Sequence, residues 1–296
     1  MSPLHRGALV ASAAAALCLA AAAPPPAAAP APPAPSAAET AGHPSEVSLP
    51  DTRRIAFVSK VNGHGYSIDV SLPPVPPPPN GYPVIYVLDG DGYFASMAEA
   101  VRLNGNAPQA VVVGIGYPHD PAWPQSVLSK HQPLPPPFAA APPFDAAFTL
   151  SRTYDLTLPA DAEVLKANGG GGVFGPQDVG GVDDFLKTIE TEVKPRVYAL
   201  APVNKDDQTL FGHSLGGLAV VDALFTEPAA FRTFVAASPS IWWSNEAVLK
   251  KEAAFDAMIT SGKAEPRVLI TVAPRKKPYP TCLPRWRRRR PPWKRR

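Results

Sequence analysis

Tyr66 to Leu72 alternates apolar and polar residues strictly, and Arg53 to Lys60 just upstream holds the apolar stretch Ile55 to Val58. Both read as strands, joined through Asn62-Gly63-His64-Gly65 in a hairpin. Pro73 to Pro79 follows as a stiff connector. Tyr82 to Leu88 is apolar without interruption and rich in β-branched residues, the pattern of a strand buried on both faces. It ends in Asp89-Gly90-Asp91-Gly92; Ser96 to Leu103 then predicts a helix and Ala110 to Ile115 a second buried strand. Tyr117 to Gln177 is dense in proline and glycine, including Pro133 to Pro137 and Gly169 to Gly172, and predicts a long insert without regular structure, a lid or binding loop. Val182, Phe185, Leu186, Ile189 and Val193 fall at helical spacing, with Asp183 and Asp184 near the start and Pro195 after the end. Phe231 to Ala237 and Arg267 to Val272 predict strands, with Glu246 to Ile259 helical between them. Strands alternating with helices imply an α/β fold with a mostly parallel sheet covered on both faces.

The most informative segment is Gly212-His213-Ser214-Leu215-Gly216. Asp207 to Phe211 reads as a strand before it, and Leu218, Val221, Leu224 and Phe225 fall at helical spacing after it, closed by Glu227-Pro228. A serine on a tight strand-to-helix corner needs nearly side-chain-free neighbours, which Gly212, Gly216 and Gly217 supply. That context makes Ser214 the candidate nucleophile for acyl transfer and gives the Leu215 N–H the position of an oxyanion donor. The bland alternative is a glycine-rich helix N-terminus with an incidental serine.

A serine hydroxyl also needs a base within hydrogen-bond reach, usually histidine. No histidine follows His213 in the sequence. His5 and His43 lie in the N-terminal region, His64 in the hairpin turn, and His213 leaves the corner in another direction than Ser214. His119 and His131, both in the insert, are the remaining candidates.

Composition divides the chain. His5 and Arg6 followed by the apolar run Gly7 to Ala23 have the layout of a secretory signal peptide, so a periplasmic or secreted location is expected, with no membrane span in the mature chain. Residues 1–38 take in this signal and the start of a proline and alanine tether, residues 39–46 a linker, and residues 47–273 the globular domain. The cysteines are Cys18 and Cys282 alone, so no disulfide is expected inside the domain. Arg275 to Arg296 holds 11 of the 28 Lys and Arg residues and no acid, which leaves residues 1–274 with 17 basic against 25 acidic, a net charge of −8. The basic stretch 274–296 shows no helix or strand period and is expected to be disordered. Its composition resembles a coding region read in another frame. A basic arm for nucleic acid is the alternative, but nothing folded stands behind it as a reader, and no nucleic-acid partner is expected.

Four blocks carry a resemblance: Pro83 to Gly90, Arg152-Thr153-Tyr154-Asp155-Leu156-Thr157, Phe211 to Gly217, and Ser238-Pro239-Ser240-Ile241-Trp242-Trp243. Over about Ile55 to Val272 the chain resembles the esterase branch of the α/β-hydrolase superfamily, and especially exported esterases that open enterobactin-type trilactone siderophores. The resemblance implies a three-layer α/β-hydrolase sandwich with an N-terminal antiparallel hairpin, here lacking the C-terminal strand and helix. It implies a serine carboxylester hydrolase working through an acyl-serine on a small-molecule ester, with a ferric siderophore as the candidate, and no cofactor.

By the same resemblance the second oxyanion N–H falls on Asp91, the residue after Leu88-Asp89-Gly90, and Glu246 stands where such folds can supply an acid, though it also suits a helix start. Arg152 is placed to meet an acidic or catecholate group or to pair with nearby Asp155, and Tyr93, Phe94, Trp242 and Trp243 can wall a flat ligand or fill the core. The family's histidine lies near its C-terminus, so this chain is expected to turn over little ester. A non-catalytic binding protein that keeps the pocket, and an acyltransferase, are the alternatives.

Overall fold

The computed structural model describes residues 48–105, 109–167 and 173–272. The expected signal peptide, tether and basic C-terminal stretch lie outside the described residues.

Seven strands form one mixed sheet: β1 (Thr52–Val58), β2 (Gly65–Ser71), β3 (Tyr82–Leu88), β4 (Val111–Gly116), β5 (Val203–His213), β6 (Thr233–Ala237) and β7 (Arg267–Thr271), in the order β1-β2-β4-β3-β5-β6-β7. β1 pairs antiparallel with β2 in the register Val58↔Gly65, β2 antiparallel with β4, and every later pair is parallel. This is the α/β-hydrolase sandwich, with its N-terminal hairpin at one edge.

The period of β3 divides the core between the two faces of the sheet. Val84, Tyr86 and Leu88 join the large cluster on one side, while Val87 packs with Phe94, Ala98 and Val112 under α1 (Gly90–Leu103) on the other. The helix after β5, Leu215–Thr226, is buried at every position from Gly216 to Phe225, as its apolar composition requires. β7 closes the described sheet as an edge strand, with Leu269 53% exposed.

Three expectations are corrected. The helix after β3 begins at Gly90 rather than Ser96, so Asp91 lies in its first turn. The insert is largely helical: α2 (Trp123–Leu128), α3 (Pro136–Ala139), α4 (Pro143–Asp155) and α5 (Ala162–Ala167) fill most of it. Prolines argued against helices there, but Pro124, Pro136 and Pro143 occupy first-turn positions, where a missing N–H costs nothing. Pro195 likewise does not end its helix. α6 (Val182–Thr188) runs through a π turn, Ile189–Val193, into α7 (Lys194–Tyr198), and the Lys194 N–H reaches back to Ile189 O. That register shift lets proline open a fresh turn. The helix after β5 is α8, and α9 is Glu252–Thr260, preceded by a short 3₁₀ turn at Ala247–Lys251.

Candidate active site

β5 and α8 meet at Ser214, whose φ of 57° and ψ of −115° lie where a residue with a side chain is strained by about 1–3 kcal/mol. Its N–H donates to Ala237 O, and its carbonyl accepts from Ser240 N–H, each at 3.0 Å. The corner is therefore clamped from β6 and the segment after it. A Cβ on Gly212 would stand 2.2 Å from Gly216 O, and one on Gly217 would stand 3.0 Å from Pro239 Cα. Both glycines are thus fixed by the closeness of strand, helix and the 238–240 segment.

The Ser214 hydroxyl has Ser240 Oγ as its neighbour, at 3.3 Å. Leu215 opens α8 and Asp91 sits in the first turn of α1, so the N–H groups of both belong to helix N-termini, where no intrahelical acceptor exists.

Asp89, at the end of β3, is buried with a left-handed φ of 54°. Arg152, on α4, grips it in a fork, Nε to Oδ1 at 2.6 Å and Nη2 to Oδ2 at 2.9 Å. Asp89 Oδ2 would lie 3.2 Å from a Cβ on Gly216, so the pair leans directly on the corner. Burial pushes the Asp89 carboxyl above the usual carboxylate range, against the opposing pull of Arg152. The alternative pairing of Arg152 with Asp155 is corrected. Asp155 is fully buried and accepts from the Tyr66 and Tyr117 hydroxyls, each at 3.0 Å, with His64 Nδ1 at 3.4 Å.

The other expected site residues scatter around this centre. Tyr93 OH meets His213 Nδ1 at 2.9 Å, turning that imidazole toward α1. The Asp91 side chain is spoken for: Oδ2 accepts from Tyr117 N–H at 3.0 Å and Oδ1 lies 2.8 Å from His119 Nε2. Trp242 is 38% exposed beside buried Trp243, whose Nε1–H donates to Leu158 O, and Phe94 is in the core. Glu246 precedes the 3₁₀ turn with a left-handed φ of 62°. His131 meets Val127 O and Asp178. None of the four imidazoles of the described residues, His64, His119, His131 and His213, hydrogen-bonds the Ser214 hydroxyl. Among the described residues no group of three or more His, Cys, Asp or Glu is placed to hold a metal ion, and no helix is long and apolar enough to cross a membrane.

A family model described as "Putative esterase" matches residues 173–284. The ferri-bacillibactin esterase BesA of Bacillus subtilis is 34% identical over 235 residues, 77% of this chain and 72% of that protein. The chain belongs to this esterase family. The siderophore enterobactin esterase of Emericella nidulans is 34% identical over 177 residues, 58% of this chain and 50% of that protein. In structure, the BES protein of Bacillus cereus superposes with a TM-score of 0.61 at 32% identity, covering 78% of this chain and 77% of that one.

As an esterase the chain is a hydrolase of ester bonds, and two residues gain weight that the sequence left unremarked. Asp89 joins β3, the Arg152 helix and the Gly216 corner; Ser240 touches Ser214 through both backbone and hydroxyl. Each lies in a block that carries the resemblance, which was the available signal.

Proposed function

We propose that Ser214 is the nucleophile of this esterase and that its substrates are esters or lactones of the siderophore trilactone class. One observation carries the first part: a non-glycine residue held at positive φ on a strand-to-helix corner, directly before the N-terminus of α8. In this reading Ser214 Oγ bonds to the ester carbonyl carbon, and the N–H groups of Leu215 and Asp91 receive the charge that develops on the carbonyl oxygen. The tetrahedral centre then collapses, the bond to the leaving alcohol breaks, and that oxygen takes up the proton Ser214 gave up. Water repeats the sequence on the acyl-serine. Trp242 and Tyr93 offer aromatic faces to a flat acyl group, and Arg152 offers a cation once an anionic group competes for it with Asp89. The substrate class rests on the printed names of the relatives, a ferri-bacillibactin esterase and a siderophore enterobactin esterase. The apolar run at residues 7–23 supports export.

The test is chromatography of enterobactin and bacillibactin, iron-free and ferric, after incubation with the protein and with Ser214→Ala. Linearised products that depend on Ser214 are expected, formed slowly because the Ser214 hydroxyl meets Ser240 rather than an imidazole among the described residues. Intact lactones in the presence of hydrolysed simple esters would remove the substrate assignment and leave the esterase.

A second reading is a binding protein that retains the fold around Ser214 without turnover. It is favoured by the neighbour of the Ser214 hydroxyl, the Ser240 hydroxyl, which is no stronger a base than Ser214 itself. Ligand affinity unaffected by Ser214→Ala, with no product formed, would select it.

A further inference from the structure

Backbone hydrogen bonds pin the segment after β6 on both sides of Ser240. Ser238 N–H donates to Thr271 O at 2.8 Å, Ile241 N–H to Pro239 O at 2.8 Å and Trp243 N–H to Ser240 O at 3.0 Å, while Ser240 N–H itself reaches Ser214 O at 3.0 Å. So held, Ser240 is 5% exposed, and its hydroxyl rests 3.3 Å from Ser214 Oγ. Neither hydroxyl has another hydrogen-bond partner among the described residues. The backbone clamp asks only for an N–H at position 240, which any residue but proline supplies; a hydroxyl aimed at Ser214 Oγ goes beyond it.

The separation bears on the role. Neutral O–H···O bonds settle near about 2.7–2.8 Å, so a contact at 3.3 Å is weak between two hydroxyls. An ionised acceptor draws such a donor in to about 2.5–2.7 Å and makes the bond roughly twice as strong. A hydrogen bond that strengthens as charge grows on Ser214 Oγ stabilises the transition state over the resting state, and that difference speeds the step. The N–H groups of Leu215 and Asp91 serve the carbonyl oxygen of the ester, which leaves the attacking oxygen with Ser240 as its side-chain donor. A hydroxyl carries one proton and two lone pairs, so rotation alone lets Ser240 accept from Ser214 at rest and donate to it during reaction.

We infer that Ser240 is a further catalytic residue, whose hydroxyl donates to Ser214 Oγ while that oxygen carries negative charge, on attack and again when the acyl-serine breaks. The inference rests on Ser214 as the nucleophile. Ser240 gives up no proton. On attack the bond from Ser214 Oγ to the carbonyl carbon forms and the Ser214 proton goes to the leaving alcohol. When water cleaves the acyl-serine, the bond from that carbon to Oγ breaks and Oγ takes a proton from the attacking water. The Ser240 O–H bond stays intact in both steps.

Saturation kinetics of fluorophosphonate labelling on the full chain, at one fixed imidazole concentration, test it with Ser240→Ala, Ser240→Thr and Ser240→Cys. Ser240→Ala is expected to lower the maximal labelling rate about tenfold and to leave the half-saturating concentration unchanged. Ser240→Thr, which returns the hydroxyl, is expected to restore the rate to within about threefold. Ser240→Cys, a weaker donor of similar size, is expected to fall between. Thermal unfolding reports which variants fold, and the cysteine variant decides on the same terms if the alanine variant does not. A maximal rate in folded Ser240→Ala equal to that of the unaltered protein would overturn the role of Ser240 and leave Ser214 as the nucleophile. Equal losses in the folded alanine and threonine variants would do the same. Absence of label from Ser214 in the unaltered protein would overturn both.

Discussion

Arg152 and Asp89, 63 residues apart in sequence, meet in a two-bond ion pair that ties the insert to the end of β3 against the Gly216 corner. Asp89 has only 5% of its side chain exposed and Arg152 22%, so removing the arginine strands a buried carboxylate. Arg152→Met is expected to cost about 3 kcal/mol at neutral pH, the low end for a buried pair because the guanidinium still meets water. The folded Asp89 value is already raised, and it rises further without Arg152. A raised acid favours the folded state below the unfolded carboxylate value and loses that contribution as pH climbs, so the penalty of Arg152→Met shrinks on acidification. Urea unfolding of both single variants and of Asp89→Asn with Arg152→Met checks this. Strict additivity of the two single costs in the double variant would contradict the coupling.

The corner itself predicts a graded pair of glycine substitutions. Gly212→Ala would drive a Cβ to 2.2 Å from a backbone oxygen, whereas Gly217→Ala meets Pro239 at 3.0 Å, a contact that yields to a small shift. The first is expected to cost well above about 2 kcal/mol and to abolish reaction at Ser214, the second about 1–2 kcal/mol. Denaturant midpoints of the two proteins check the order, and equal midpoints would contradict it.

Alkaline pH should unfold the domain steeply. Burial pushes the Tyr66, Tyr86 and Tyr117 phenols well above their ordinary value of 10.0, and the Asp155 charge adds to the shift at Tyr66 and Tyr117. Their folded values exceed their unfolded ones, so their contribution is complete below the ordinary phenol value and is lost as pH rises beyond it. Each phenol contributes a slope of about 1.4 kcal/mol per pH unit there, about 4 for the three. Unfolding free energies between about pH 9 and 11, followed with phenolate absorbance, check this. Phenolate absorbance that reaches the level of all eight tyrosines while the fold persists would contradict it.

Since the Ser214 hydroxyl meets a hydroxyl rather than an imidazole among the described residues, added imidazole is expected to speed its phosphonylation by a fluorophosphonate, in proportion to the neutral imidazole present. A rate independent of imidazole would show a base already in reach.

The sequence made local features legible and long-range ones not. β3 spans Tyr82–Leu88, as its apolar run predicts, because a strand buried on both faces leaves no room for polar positions. The Ser214 corner was readable because strand, glycines and helix are contiguous. The insert was misread because proline density was weighed without position: at the first turn of α4 Pro143 starts a helix rather than breaking one. Partners of single charges were beyond reach. Arg152 lies three residues from Asp155 in sequence, yet its helix turns it toward Asp89, while Asp155 faces inward to two tyrosines and His64. Only packing decides between such options.

Mass-spectrometric mapping of the fluorophosphonate adduct, on the protein and on Ser214→Ala, tests the central assignment most directly. The label is expected on the peptide that contains Ser214 and absent from the variant, with ester turnover lost in parallel. Modification at any other residue, or undiminished turnover in Ser214→Ala, would contradict it.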